Sequence, residues 1–400
     1  MNSARVLAGL MLVASGALAQ AGELPADYGK RLVHGYIAPA MQDFQSSARQ
    51  LQGSLDAWCM AERSKRRVGA ASGQMTPGQA ETGQARGAQE LSGAAGAGRV
   101  GKDFALTVEA WAGIEFLRFG PLVAANRYER IYFWPDPRGM TLRQVQGLLA
   151  SPAGVPDATE LATHSVAVQG LPALEYVLYK ENGLLAGGRA AAPGGTGEAP
   201  DSPGMADAAA CDYAVAIAGN LARVGAELVQ AWTPDGEYAR QFSQPLPDNA
   251  LYRSPREVAG EAIKALSTGL QFARDAKLLP VLGKGPGAAQ YKRAPFWRSG
   301  LSARAMAATI DGMIRFYRAG GYRYEADEAW VDDSLQGELQ RARDNFSAMQ
   351  SSARQLANSD EGYRQLTLAS LLLKNAKGMV DEHMASAFDV RMGFNALDGD

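Results

Sequence analysis

Two glutamates stand where a carboxylate is out of place. Glu175 lies in "QGLPALEYVLY", residues 169–179, four residues after Leu171 and three before Leu178. Glu115 lies four residues after Trp111 and four before Phe119. On a helix those spacings put both side chains on the apolar stripe. Their surroundings are alike, "GIEFLRFG" at 113–120 and "ALEYVLYK" at 173–180. A carboxylate facing a core is costly unless something pairs with it. An arginine, a helix end, a metal ion or the other carboxylate could serve. Arg118, Arg127 and Arg130 are near Glu115 in sequence. The plain expectation is Glu–Arg pairs closing a bundle. The functional one is a polar pocket between helices, a place where bundles build sites, with Glu175, Glu115, Arg118 and Arg130 as candidate ligand-binding residues.

Other chemistry is thin. There are three histidines, His34, His164 and His383, too far apart in sequence to suggest a His-rich metal site. His164 precedes Glu175 by eleven residues, nearly the same face of an unbroken helix, and is the one weak candidate to join it as a metal ligand. H-E-x-x-H, P-loop and G-x-S-x-G patterns are absent. Pro172 follows Gly170-Leu171, where it breaks one helix and starts the next. Glu175 would then sit near a helix N-terminus, whose dipole favours the ionised carboxylate. "RYERIYFWPDPRG", 127–139, reads as a packed turn between helices, and "RAPFWRSGLS", 293–302, as a helix start with Ser299 or Ser302 as N-cap. Asp398 and Asp400 in the tail "GFNALDGD" could hold a cation weakly, but read as a solvated end.

The elements that must position these residues are helices. Apolar residues recur at spacings of three, four and seven over 36–59, 104–119, 213–232, 258–279, 301–318, 334–357 and 361–392. The expected fold class is all-α. Two stretches interrupt it, 64–101 and 183–210, both rich in Gly and Ala and poor in bulky apolar residues; they read as flexible inserts. The Pro-rich "QPLPDNALYRSPRE" divides the chain into two helical-bundle halves, 24–240 and 250–395. The string "QSSARQL" occurs at 45–51 and again at 350–356, and a duplication behind the two halves is one reading of it.

With 46% hydrophobic and 20% charged residues the chain can bury a sizeable core, and a formal net charge of −2 gives no basic field for nucleic acid. Residues 1–19 carry Arg5, a short apolar run and "ALA" at 17–19, the pattern of a cleaved signal peptide. No cysteine follows that run, so a lipoprotein is not expected. The two cysteines, Cys59 and Cys211, would meet an oxidising compartment, where a disulfide is expected.

In combination, "EAWAGIEFLRFGP", "RIYFWPDPRG", "GLPALEYVLY", "RAPFWRSG" and "GFNALDGD" resemble the imelysin-like proteins of bacteria, from about residue 30 to the C-terminus apart from the two inserts. The resemblance implies an exported, here periplasmic, protein with two bundle-like helical halves and an association with iron-regulated genes. That family's signature is G-x-H-x-x-E. Gly170 and Glu175 match it, and Pro172 occupies the histidine position. Gly170 therefore joins the candidate site, while a histidine-plus-glutamate metal site cannot be built from this motif. The expected function is a non-enzymatic binding protein tied to iron or other metal uptake, with a metal ion, a metal complex or a partner peptide as ligand. The alternatives are a metallopeptidase with an altered site, and a helical scaffold for a membrane-protein partner.

Overall fold

A computed structural model describes residues 22–72, 93–185 and 208–391. The signal-like segment, the interiors of both Gly/Ala-rich stretches and the tail with Asp398 and Asp400 lie outside these residues. The described chain is helical, with one isolated antiparallel bridge, Glu23 to Arg323, and no strand. No described helix is long and apolar enough to cross a membrane.

The first half is built on α1 (Ala38–Ser72), α2 (Gly93–Ile114), α3 (Leu171–Tyr179) and α4 (Ala208–Ala231). The second is built on α5 (Pro255–Gln271), α6 (Ser302–Gly320), α7 (Trp330–Ala348) and α8 (Asp360–Gly378). Helix α1 packs on α2 and α4, and α7 lies between α6 and α8. Apolar faces at helical spacing bury Phe44, Leu51 and Leu55 of α1 beside Phe104, Val108 and Trp111 of α2. A disulfide from Cys59 to Cys211 fastens α1 to α4.

Three expectations need correction. The inserts are shorter than the composition suggested: α1 continues to Ser72 and α2 begins at Gly93. Likewise Leu184 and Leu185 are buried and α4 begins at Ala208. Alanine, the best helix former, lets such sequence extend a neighbouring helix. The halves also exchange their edges. Residues 22–32 pack on the second half, where Gly22 N–H donates to Ala387 O and Tyr28 meets the Tyr322 ring edge-on at 5.5 Å. Finally, the two "QSSARQL" copies are not equivalent. Residues 45–51 lie inside α1, whereas Ser352 of the second copy caps the short helix Ala353–Asn358 in a reciprocal capping box with Gln355. The same seven residues thus continue a helix in one half and start one in the other.

The halves are joined where α6 crosses α2. A Cβ on Gly312 would come within 2.4 Å of Gly113 O, so only glycine permits this approach. Tyr36 donates from its hydroxyl to the same Gly113 carbonyl at 2.5 Å.

Candidate functional site

Both singled-out glutamates are buried, Glu115 at 3% exposure and Glu175 at 4%, but they end in different places. Helix α2 stops at Ile114, so Glu115 lies in the turn just past its C-terminus rather than within a helix. The chain turns away through Gly120, at positive φ, and Pro121. The negative end of the α2 dipole makes this a poor place for a carboxylate. A cation compensates, and it is Lys277 of the second half rather than an arginine. Lys277 is 2% exposed and belongs to a π-helical turn, Phe272–Leu278, that prolongs α5. Pro280 follows, with no N–H to give residue 276, and the regular helical ladder is already broken there. Thr309 of α6 donates its hydroxyl to the same Glu115 oxygen at 2.8 Å. Burial pushes the Lys277 ammonium below its usual range and the Glu115 carboxylate opposes that shift.

Glu175 is held differently. It occupies the second turn of α3, which starts at Leu171 with Pro172 in its first turn. The backbone N–H and the hydroxyl of Ser299 both donate to its Oε1 at 2.8 Å. Burial pushes its carboxyl above the usual range, and the Ser299 hydrogen bonds pull it back. The expected dominance of the helix dipole is thus corrected: that effect fades within the first turn, and desolvation prevails. Ser299 spends its hydroxyl on Glu175 and Ser302 donates to Pro295 O, so neither caps α6, whose N-cap is Leu301.

Glu175 lines a cleft of about 260 Å³. Its walls come from 132–142, the start of α3 and the loop before α6, including Tyr132, Trp134, Thr141, Pro172, Trp297 and Arg298. A wider cleft of about 620 Å³ shares Leu142, Tyr176, Trp297 and Arg298 with it. Phe296, in the wall of the smaller cleft, has a φ of +52°, an uncommon conformation for a bulky residue, and stacks on Tyr132 at 5.3 Å. The Tyr132 hydroxyl and Thr141 Oγ1 are buried without a hydrogen-bond partner among the described residues. Tyr132 also links the two glutamates electrostatically. Burial first, then the charges near it, Glu115 and Glu175 among them, drive its phenol well above the usual range.

The remaining candidates are placed elsewhere. Arg118 lies over the rings of Tyr128, at 4.1 Å, and Phe272, at 4.5 Å. Arg130 joins Arg127 and Arg223 around Glu227. Gly170 packs against backbone: a Cβ there would come within 2.3 Å of Ile131 O. His164 is exposed and does not line the cleft. Of the set read from sequence, only Glu175 reaches the cleft. Lys277, Thr309 and Arg298 were missed, and Ser299 was read only as a helix cap. A lysine inside the apolar run "FARDAKLLPVL" was the one available signal.

The model of the Imelysin family, Peptidase_M75, matches residues 37–377. The chain belongs to the imelysin family. Its fold is that of an imelysin-like protein from Psychrobacter arcticum 273-4, with a TM-score of 0.66 at 16% identity, covering 94% of this chain and 100% of that one. A putative iron-regulated protein A precursor from Parabacteroides distasonis ATCC 8503 is also similar, with a TM-score of 0.61 at 14% identity, covering 92% and 98%. No curated protein matches. In this imelysin-family chain Pro172 puts a ring without donor or acceptor into the cleft wall beside Glu175. The donor set does not fit a bare ion: no three His, Cys, Asp or Glu side chains converge among the described residues. Asp136, the other acid of the cleft, accepts from the amides of Met140 and Thr141 at 2.8 Å with its two oxygens.

Proposed function

We propose that this protein is an exported, periplasmic member of the imelysin family that acts as a non-enzymatic binding protein in iron or other metal acquisition. Its ligand occupies the cleft at Glu175. The observation that carries this is a carboxylate buried at the wall of an open cleft, held by Ser299 yet outside any metal-binding cluster. Such a site suits a metal complex that brings its own donors better than a free ion. The positive φ of Phe296 at the same wall fits a built site, since backbone strain collects where ligands are held. The similar Parabacteroides distasonis protein, named as an iron-regulated protein A precursor, supports the link to iron. The signal-like residues 1–19 support export. Peptidase chemistry would need a held metal or a nucleophile with its base, and with Pro172 in the histidine position the cleft offers the first no ligand set.

Thermal-shift titration of the full chain with ferric citrate, ferric 2,3-dihydroxybenzoate and free ferric, zinc and copper ions tests this. A rise in Tm with a chelate, absent in Glu175→Ala and absent with the free ions, is the expected result. Stoichiometric retention of a free ion, or no shift with any of the chelates, would overturn it.

A further inference from the structure

The two adjoining clefts share an unusual wall. Arg298 lies over Trp297 at 4.4 Å and over Tyr176 at 5.4 Å. Lys180 lies over Tyr176 at 5.5 Å, Lys292 over Trp297 at 6.0 Å, and Arg354 over Tyr291 at 5.3 Å. None of these four cations makes an ion pair among the described residues, unlike Arg127, Arg130 and Arg223 around Glu227. The nearby acids leave them without an ion pair: Glu175 is turned onto Ser299 and feels the Arg298 charge from beside it, Asp136 accepts from backbone N–H groups, and Glu181 is the one other acid of the lining. A guanidinium over an indole keeps N–H donors that a carboxylate or phenolate can meet. Trp297 and Tyr176 line the clefts beside it, where a flat partner can pack on their edges or on what the cations leave of their faces. Tyr132 and Thr141, whose hydroxyl oxygens are buried without a hydrogen-bond partner among the described residues, also line the first cleft.

We propose that the cleft recognises an anion bearing a flat aromatic ring, the class of aryl carboxylates and catecholates, with Arg298 on the charge and Trp297 on the ring. This rests on the assignment of the Glu175 cleft as the binding site and narrows what enters it. Charge brings the ligand in and stacking selects it, so neither an aliphatic polyanion nor a neutral arene satisfies both.

Isothermal titration of the full chain with 2,3-dihydroxybenzoate, citrate, benzyl alcohol and benzamidine separates the terms. The expected result is binding of 2,3-dihydroxybenzoate at least about tenfold tighter than the other three, a gap of about 1.4 kcal/mol. Arg298→Ala and Trp297→Leu should each weaken it about tenfold or more, with Arg298→Lys intermediate, because charge is kept and stacking lost. Circular dichroism confirms that each variant folds. Citrate or benzamidine binding as tightly as 2,3-dihydroxybenzoate, or no binding of 2,3-dihydroxybenzoate, would overturn the proposal. If citrate binds and is lost in Glu175→Ala, the cleft stands as the site and the aromatic requirement falls. If no probe binds and ferric chelates leave Tm unchanged, the cleft assignment itself falls.

Discussion

Glu115 and Glu175 sit in matching sequence contexts and meet opposite fates. Glu115 is sealed between the halves, paired with Lys277 and bonded to Thr309, while its Oε2 has no partner among the described residues. Glu175 faces a cleft and is held by two donors of one neutral residue, Ser299. A charge answered by a charge is structural. A carboxylate hydrogen-bonded by neutral donors, with the Arg298 charge beside it but no ion pair, keeps part of its capacity for a ligand. The pocket expected to contain both glutamates holds one of them, with Tyr132 as the partition.

Removing the partner of a buried charge is the largest break this contrast allows. Lys277→Ala leaves the buried Glu115 carboxyl without its cation, and should lower unfolding free energy by about 3–5 kcal/mol, read by urea denaturation. The pair Glu115→Leu with Lys277→Met should recover most of that loss, because apolar residues of similar volume often replace a buried ion pair without penalty. Gly170→Ala tests the assignment of that residue to packing. Its Cβ would press on the Ile131 carbonyl, and a cost of about 1–3 kcal/mol is expected. Ser299→Ala removes one hydroxyl donor and leaves the backbone N–H, so a smaller loss of about 1–2 kcal/mol should appear.

The subtlest contrast is with pH. Burial raises the native Glu175 carboxyl above its unfolded value. Between those two values the native state holds a proton that the unfolded state has released, so stability should fall as pH rises through that window. It is fully present below the unfolded pKa. In Glu175→Gln this fall should vanish, which denaturation curves across the acidic to neutral range would show as a flatter profile.

Much of the fold was open to the sequence, because long apolar periodicities of 3.6 dictate amphipathic helices and their buried faces. Helix ends were less legible. Nothing at Ile114 marks the stop of α2, since the Gly120-Pro121 break lies further along the chain, against Tyr238 of another segment: a Cβ on Gly120 would come within 2.1 Å of that ring. The site was legible only as single carboxylates. Lys277 is 162 residues from Glu115, and Ser299 is 124 from Glu175, so both partners are set by tertiary packing. Sequence proximity instead suggested Arg118 and Arg130, which packing sends to Tyr128 and Glu227. The same physics separates the "QSSARQL" copies, where identical residues continue a helix in one context and start one in the other.

The most direct test compares chelate binding in two variants. Ferric 2,3-dihydroxybenzoate would be titrated into Glu175→Ala and into the Glu115→Leu, Lys277→Met pair, beside the unaltered protein. If Glu175 belongs to the ligand site and Glu115 to the scaffold, the first should lose about tenfold or more in affinity and the second should stay within about threefold. Equal losses in both, or an unchanged affinity in Glu175→Ala, would contradict the division of labour between the two carboxylates.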